Sequence, residues 1–300
     1  MKKVLIVGGG GYVGTKLTKT LLDRGYDVTV IDLFWFGNHL DERASVVNKD
    51  IFDLTESDLS NIDVVVFTAG LSNDPMAEFS PSENFISNAS APSYLAYIAK
   101  RAGVARMIYA SSCSVYGYTV EEMYDETGPT EAQYPYGLSK LQGERSVVEM
   151  ADDNLVVNAM FKNAMQNNKI TVNNPAIWRP ILAIDDCISA YVRAIESDKS
   201  LSGGFNIASG NYTIGEIGDI VCEMVSAAKG EQVELEIKDI KDMRNYKVLW
   251  NKAETILGFK PKRKVEDIVK QLIEENDKFV DYDNDDYYNI KVFRKMTEGS

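Results

Sequence analysis

Residues 4–14 read VLIVGGGGYVG, which is a short apolar run, four consecutive glycines and the start of a helix-forming segment. The glycines keep the spacing Gly8-x-x-Gly11-x-x-Gly14. Glycine at the first position permits a tight turn, the second lets backbone N–H groups approach a pyrophosphate, and the third lets the helix pack closely on the strand. The stretch predicts a strand–turn–helix unit that binds a dinucleotide. The predicted cofactor-binding residues of this unit are Gly8, Gly11, Tyr12, Val13 and Gly14.

A single carboxylate indicates which dinucleotide is bound. The second apolar run, residues 28–31, ends at Asp32, 18 residues beyond Gly14. A carboxylate at the end of the second strand accepts hydrogen bonds from both ribose hydroxyls and repels a 2′-phosphate. Asp32 therefore favours NAD over NADP as the cofactor.

Short β-branched apolar runs alternate with segments of helical period through the first half of the chain. Buried strands are predicted at residues 4–7, 28–31, 64–68 and 107–110, and helices at residues 12–24, 81–102 and 136–150. This alternation predicts an α/β fold, a Rossmann-type doubly wound parallel sheet over residues 1–154.

A smaller C-terminal α/β lobe is predicted over residues 155–300, with some segments returning to the sheet. We expect this lobe to bind the substrate. Its predicted strands lie near residues 170–172, 205–207 and 233–237, and its helices near residues 185–195, 214–228 and 265–276.

Composition excludes several classes of function. The 300 residues include 45 acidic and 32 basic side chains, and the net charge of −13 argues against non-specific binding of nucleic acid. No apolar stretch approaches the roughly 18 residues that a membrane span requires. Three scattered cysteines and the single histidine, His39, favour a reducing compartment over a metal site. We expect a cytoplasmic protein without a bound metal.

The glycine spacing resembles that of the short-chain dehydrogenase/reductase superfamily, whose second mark is a tyrosine with a lysine four residues later. Tyr136 and Lys140 match this mark, and so do Tyr287 and Lys291. The first pair begins a predicted helix, where residues four apart share one face, and it follows the stretch SSCSVYG at residues 111–117. The second pair lies in an acidic segment and is interpreted as a chance match.

With these residues, the chain resembles the extended branch of that superfamily, the NAD-dependent nucleotide-sugar epimerase/dehydratase family, over most of its length. The resemblance implies that Asp50 and Ile51 contact the adenine. It also implies that Ala69, Gly70 and Asn88 lie beside the cofactor. Stretches at residues 178–186, 242–246 and 257–261 resemble the family's later landmarks.

The resemblance also implies the roles of the reacting residues. Tyr136, as phenolate, takes the proton of a sugar hydroxyl, and Lys140 stabilises the phenolate and holds the nicotinamide ribose. Ser112 is a hydrogen-bond partner of the reacting hydroxyl. Arg179 and Arg244 hold the diphosphate of the sugar nucleotide, since a planar guanidinium binds phosphate bidentately.

Cys113 and Ser114 bear on which reaction the chain catalyses. In the 4,6-dehydratases that the chain resembles, these positions usually hold Asp and Glu, the acid and base that expel water. Their absence favours 4-epimerisation of a nucleoside-diphosphate sugar. The alternatives are a 4-dehydrogenase that releases the keto sugar, an oxidoreductase for a non-nucleotide substrate such as a hydroxysteroid, and a non-catalytic NAD-responsive binding protein.

Two further expectations come from the family resemblance. The helices near residues 81–102 and 136–150 are predicted to pair with those of a second copy in a four-helix bundle. The apolar positions Leu95, Ile98, Val147 and Val148 support this pairing, and the alternative is that they belong to the core of a single chain. About 20 residues of the family pattern, one strand and its connection, have no counterpart near residues 150–155. Either the given sequence omits this segment or the protein lacks it. In the second case the cofactor site would survive, but the nicotinamide end of the site and the substrate pocket would be affected.

Overall fold

The computed structural model describes residues 2–117, 123–147, 165, 168–198, 200–238, 245–278, 281–282, 284–285 and 288–298. Its central sheet has five parallel strands in the order β3-β2-β1-β4-β5. They are β1 (Lys3–Val7), β2 (Asp27–Asp32), β3 (Ser45–Asn48), β4 (Val64–Phe67) and β5 (Arg106–Tyr109). The direction in which successive strands are added to the sheet reverses at β1. Sheets of this kind bind ligands beyond the carboxyl ends of the strands, at the position of this reversal. The predicted doubly wound parallel sheet is confirmed.

Helices cover both faces of this sheet because alternate residues of each buried strand point to opposite sides. The helices are α1 (Tyr12–Asp23), α2 (Asp74–Phe79), α3 (Pro81–Phe85), α4 (Ala91–Arg101), α5 (Pro135–Val147) and α6 (Ile184–Glu196). On one face, Val4 and Ile6 pack in a core with residues of α1 and α6. On the other face, Leu5 packs in a second core with residues of α4 and α5.

The second core contains three of the side chains that we expected at a subunit interface. Leu95 and Val147 are fully buried in it, and Ile98 is almost fully buried. Of the two readings, the core of a single chain is the correct one for these three residues, because their apolar surface is used within one chain to cover the sheet. Val148 lies outside the described residues.

The long helix predicted over residues 81–102 is interrupted. It consists of α3, a π turn at Ile86–Ser90, and α4. A π turn opens the helix by one residue, and such turns are common at functional sites. This turn contains Asn88.

The smaller lobe is built from pairs of short strands. The strands are β6 (Met123–Tyr124), β7 (Lys169–Asn173), β8 (Trp178–Ile181), β9 (Gly210–Thr213), β10 (Glu234–Lys238) and β11 (Lys247–Val248), paired as β7 with β10, β8 with β9, and β6 with β11. The other helices of the described ranges are α7 (Ile214–Lys229), α8 (Asn251–Ile256), α9 (Val265–Glu274) and α10 (Asn289–Glu298). Side chains of α7 and α9 pack on β7 in a third core.

Two strand predictions in this lobe need correction. Residues 205–207 form no strand, and the strand begins instead at Gly210. The cause is a pair of contacts with residues far away in the chain. The N–H of Asn206 donates to the Glu126 carboxylate, and its side-chain oxygen accepts the hydroxyl of Tyr116. The strand predicted at residues 233–237 lies one residue later. The expected boundary at residues 154 and 155 and the apparent deletion nearby lie outside the described residues.

Candidate functional site

The glycine loop follows β1 and is tied to the segment after β4. Gly8 has φ of +84°, and a Cβ on it would lie 2.2 Å from the amide nitrogen of Ala69. The hydroxyl of Thr68 donates to the carbonyl of Gly8 at 3.0 Å. A Cβ on Gly14 would lie 2.4 Å from the Cα of Gly9. These contacts leave no room for a side chain at either position.

Gly11 differs from its two neighbours in the motif. Its φ is −77°, and a Cβ there would meet only the carbonyl oxygen of Gly8, at an ordinary 3.5 Å. Packing within the protein therefore does not require glycine at this position. A ligand that approaches the backbone closely does require it, which is the role that the spacing predicts for Gly11.

The start of α1 suits an anion. The helix begins at Tyr12 and Val13, and its first turn contains no acidic side chain. The first N–H groups of a helix lack intrahelical acceptors, and the helix dipole favours negative charge at this end. A pyrophosphate is an anion of the kind that binds there.

Asp32 ends β2 and faces the glycine loop. Its Oδ2 accepts the N–H of Gly10 at 2.9 Å, and its Oδ1 accepts the N–H of Phe34 at 2.7 Å. Each carboxylate oxygen has a second lone pair. The carboxylate is therefore fixed in place and still has acceptor sites for ribose hydroxyls.

Replacing Asp32 with alanine tests its role in cofactor choice. We expect Asp32→Ala to weaken NAD binding about tenfold, because hydrogen bonds to a charged acceptor are lost. We also expect the variant to prefer NAD over NADP less strongly than the wild type does. Calorimetric titration with both dinucleotides measures the two affinities. Asp23→Ala is the control, since this exposed carboxylate on α1 pairs with Lys19 and Arg43. An unchanged preference in Asp32→Ala, or a wild type that binds NADP as tightly as NAD, would contradict the assignment.

Asp50 and Ile51 lie beyond the end of β3, next to the strand that ends at Asp32. Asn48 pairs in register with Asp32, and Asp50 follows it by two residues. The Asp50 carboxylate accepts the N–H of Phe52 at 2.8 Å and caps a short 3-10 helix. Ile51 packs against the second core. Contact of these residues with adenine remains a prediction.

Gly70 lies beside Asn88 and Lys140. Its φ is +123°, and a Cβ on it would lie 2.1 Å from Asn88 Oδ1 and 3.7 Å from Lys140 Nζ. Asn88 is fully buried, and its Nδ2 donates to the carbonyl of Leu71 at 2.9 Å and to Asn84 Oδ1 at 2.8 Å. Its Oδ1 has no hydrogen-bond partner among the described residues. Buried acceptors rarely stay unpaired, and this unpaired oxygen lies directly against Gly70, one of the predicted cofactor-binding residues.

Tyr136 and Lys140 occupy successive turns at the start of α5. Both side chains are buried, each about 5% exposed. Lys140 Nζ donates to the carbonyl of Ala110 at 2.9 Å and lies 6.0 Å from the centroid of the Tyr136 ring. The ammonium group thus lies between the end of β5 and Gly70.

Ser112 follows β5 and is fully buried. Its Oγ accepts the N–H of Ser114 at 3.1 Å, at the start of a 3-10 helix over Cys113–Tyr116. That bond uses a lone pair and not the hydroxyl hydrogen. A Cβ on Gly137 would lie 2.6 Å from the carbonyl oxygen of Ser114. The segment that begins at Ser112 therefore packs on the first turn of α5, beside Tyr136.

Arg179 lies on β8 and is connected to this segment by the side chain of Tyr246. Its guanidinium carbon lies 5.2 Å from the centroid of the Tyr246 ring, and Nη1 donates to the carbonyl of Trp178 at 2.9 Å. The Tyr246 hydroxyl lies 3.4 Å from Ser114 Oγ. Burial raises the pKa of Tyr246, while Arg179 and Ser114 act in the opposite direction. Arg244 lies outside the described residues.

Sequence reasoning assigned no role to Tyr246 or to Glu144. Tyr246 was marked only by its place two residues after Arg244. Glu144 continues the series of every fourth residue that Tyr136 and Lys140 begin, so helical spacing was the available signal. Its carboxylate accepts the hydroxyl of Ser111 at 2.6 Å. Burial raises the pKa of Glu144, and the Ser111 hydrogen bond and the charge of Arg145 oppose the shift.

The raised pKa of Glu144 predicts how stability depends on pH. At pH values between the ordinary pKa of 4.5 and the raised pKa of the folded state, Glu144 is more often protonated in the folded protein than in the unfolded chain. The contribution of this carboxyl to the stability of the folded protein therefore falls as the pH rises through that window. Glu144→Gln removes the titration and keeps an oxygen that accepts from Ser111. We therefore expect the free energy of unfolding of the variant, relative to wild type, to rise through the window and level off above it.

Urea denaturation at a series of pH values measures this difference. Glu223→Gln, at an exposed position on α7, is the matched control and should give a constant offset. A constant offset in Glu144→Gln as well would show that burial of Glu144 does not contribute to the pH dependence of stability.

Two findings concern possible membrane or metal binding. Within the described ranges, no helix combines the length and apolar character needed to cross a membrane. Groups of three or more His, Cys, Asp or Glu side chains arranged to hold a metal ion are also absent from those ranges.

Comparison with known sequences identifies relatives. The model of the NAD dependent epimerase/dehydratase family matches residues 4–165. UDP-glucose 4-epimerase of Corynebacterium glutamicum is 30% identical over 153 residues, which cover 50% of this chain and 46% of that protein. UDP-glucuronic acid decarboxylase 1 of Danio rerio is 24% identical over 310 residues, which cover 91% of this chain and 72% of that protein. The chain thus spans about half the length of the curated UDP-glucose 4-epimerases that it matches.

Solved structures show the same fold. UDP-glucuronic acid 4-epimerase from Bacillus cereus, in complex with UDP-glucuronic acid and NAD, has a TM-score of 0.80 at 21% identity, covering 92% of this chain and 99% of that one. UDP-glucose 4-epimerase from Bifidobacterium longum, in complex with NAD⁺ and UDP, has a TM-score of 0.76 at 22% identity, covering 92% and 98%. Because the family model matches more than half of its length, the chain belongs to the NAD dependent epimerase/dehydratase family, which confirms NAD as its cofactor.

Proposed function

We propose that this chain is a nucleotide-sugar 4-epimerase, which oxidises C4 of a nucleoside-diphosphate sugar and reduces it again on the other face. The main support is that Tyr136 and Lys140 are buried near each other, with Lys140 beside Gly70 and the Ser112 segment packed on the first turn of the same helix. That arrangement suits proton transfer to and from an alcohol. A protein that only bound NAD would need the glycine loop and Asp32 but not these three side chains.

NAD, when bound, supplies the hydride acceptor. The protein supplies binding, orientation and proton transfer. In this proposal the start of α1 binds the pyrophosphate, Asp32 binds the adenosine ribose, and Lys140 holds the nicotinamide ribose. Tyr136 Oη takes the proton of the sugar 4-hydroxyl, and the hydroxyl of Ser112 donates to the same sugar oxygen.

Arg179 is proposed to bind the substrate diphosphate. Arg179 is buried, and Tyr246 contacts both its guanidinium and Ser114 of the Ser112 segment. Arg244 is proposed to supply a second guanidinium for the diphosphate. This assignment favours a nucleotide sugar over a hydroxysteroid, which has no phosphate for an arginine to bind.

Cys113 and Ser114 support epimerisation over loss of water. Cys113 is buried, and Ser114 Oγ faces the hydroxyl of Tyr246. Neither position has a carboxyl group, so the acid and base that would expel water from a keto sugar are absent there. Release of the keto sugar, as in a dehydrogenase, is the alternative that this observation leaves open.

Incubation of the NAD-loaded protein with UDP-, GDP- and CDP-sugars tests the proposal. A C4 epimer is the expected product, identified by nuclear magnetic resonance. A stable 4-keto sugar formed with stoichiometric NADH would indicate a dehydrogenase instead. A 4-keto-6-deoxy product would indicate a dehydratase, and carbon dioxide released from a uronic acid would indicate a decarboxylase. Each of these three results would overturn the proposed epimerase.

A homodimer is also proposed, through the outer face of the helices at residues 81–101 and 135–147. Ile86 and Tyr97 are large apolar side chains of the first of these segments and are 41% and 60% exposed. We expect light scattering to give twice the mass of the 33.5 kDa chain, and Tyr97→Glu to shift the protein towards the monomer by placing a charge in the interface. A wild type that is monomeric at all concentrations would contradict the dimer.

A further inference from the structure

The helix α10 packs against two segments that follow strands of the central sheet. Phe293 of this helix is buried in a small cluster with Leu71, Met76 and Trp35. Its ring centroid is 5.9 Å from that of Trp35 and 6.0 Å from that of Phe79. One aromatic side chain thus joins the segment after β2 to the segment after β4.

Two of the residues in contact with Phe293 lie just after predicted cofactor-binding residues in the chain. Trp35 lies three residues beyond Asp32, and Leu71 directly follows Gly70. The Asp32 carboxylate accepts the backbone N–H of the residue before Trp35 at 2.7 Å. The carbonyl of Leu71 accepts the side-chain N–H of Asn88 at 2.9 Å. Packing on Phe293 is therefore connected within a few residues to both sides of the cofactor site.

The sheet order places these two segments on opposite sides of the glycine loop. β2 and β4 pair with opposite edges of β1, so the crevice beyond the carboxyl end of β1 lies between them. Dinucleotides bind in this crevice in sheets of this kind. Phe293 therefore connects the two segments that follow the strands on either side of this crevice.

A second contact holds α10 in this position. The guanidinium carbon of Arg294 lies 4.8 Å from the centroid of the Phe79 ring on α2. A cation over an aromatic face is attracted by the ring, and this attraction adds to the apolar packing of Phe293. The helix is therefore anchored to α2 as well as to Trp35.

We infer that α10 is a cofactor-retaining helix and that Phe293 is its positioning residue. Phe293 holds the segments that contain Asp32 and Gly70 at the separation that bound NAD requires, so less order has to be gained on binding. Release of the cofactor then requires this connection to open first. The helix lies outside the residues 4–165 that match the family model.

The rate of cofactor release tests this inference. The full chain is loaded with NADH, mixed rapidly with excess NAD, and followed by the loss of NADH fluorescence. We expect Phe293→Ala to release NADH about tenfold faster, which corresponds to about 1.4 kcal/mol in affinity if the association rate is unchanged. Phe293→Leu keeps apolar volume and should lie between the alanine variant and wild type. No sugar is present, so the result is independent of the proposed epimerase reaction.

Two controls separate this effect from general destabilisation. Val225→Ala removes buried volume from the third core. Lys291→Ala changes a residue of α10 itself and removes its exposed ion pair with Asp285. Both should release NADH at the wild-type rate. Wild-type release from Phe293→Ala would overturn the inference, and so would equally accelerated release from Val225→Ala. Tighter NADH binding in Phe293→Ala would also overturn it, because α10 would then obstruct the site.

Discussion

Replacing Tyr136 with phenylalanine is expected to lower turnover by about 10²-fold or more and to leave NAD affinity nearly unchanged. The substitution removes one hydroxyl group, which is the proposed proton acceptor, and keeps the ring that packs near Lys140. A loss confined to turnover would place the effect in the chemical step. The measurements are steady-state kinetics with the sugar nucleotide that proves active and calorimetric titration with NAD.

Two other tyrosines provide controls for this variant. Tyr287→Phe alters the tyrosine of the second sequence match, and this tyrosine lies outside the described residues. Tyr134→Phe alters a partly exposed ring two residues before Tyr136. Both variants should retain wild-type turnover. If Tyr287→Phe lost as much activity as Tyr136→Phe, the assignment of Tyr136 as proton acceptor would fail.

Alanine at Gly8 and alanine at Gly11 are expected to have different effects. Gly8→Ala forces a side chain into a positive-φ conformation and into the backbone of Ala69, so we expect a loss of roughly 2–5 kcal/mol in the free energy of unfolding. Gly11→Ala meets no such contact, and its stability should stay within about 1 kcal/mol of wild type. Its methyl group would instead occupy the space that a pyrophosphate approaches, and NAD affinity should fall roughly tenfold or more.

Chemical denaturation without cofactor and calorimetric titration with NAD separate the two effects. The pair serves as its own control, since the same methyl group is added three residues apart in one loop. A Gly11→Ala variant that binds NAD normally would show that the cofactor does not approach this backbone. Equal destabilisation by the two substitutions would show that the loop geometry around Gly11 is as restrictive as that around Gly8.

The central sheet was predictable because its strands are buried on both faces. Such strands are continuous apolar runs, and β1 and β4 were recognised from residues 4–7 and 64–68 within a residue or two. The short strands of the smaller lobe lack this signal. Residues 205–207 are apolar enough for a strand, but Asn206 bonds to side chains instead. Gly210 and Asn211, which begin the real strand, have little intrinsic strand preference.

The site was predictable where residues act through a local pattern. The glycine loop, Asp32 and the pair of Tyr136 and Lys140 each have a fixed spacing. Glu144 and Tyr246 depend on contacts between residues far apart in the chain, such as the 3.4 Å approach of Tyr246 to Ser114. The sequence also could not predict which surface buries Leu95, because an apolar residue on a helix shows the same pattern whether it faces a sheet or a second subunit.

The π turn at residues 86–90 limits how chains of this kind can change over evolution. A π turn holds one residue more than the α-helical turn that it replaces, so it is equivalent to a one-residue insertion. Deleting one residue there would rotate Asn84 by about 100° around the helix axis relative to Leu95. Asn84 would leave its buried partners, the carbonyl of Pro135 and the hydroxyl of Ser139. Homologous chains that conserve both anchors should therefore align without gaps between Asn84 and Leu95, even where the residues themselves have diverged.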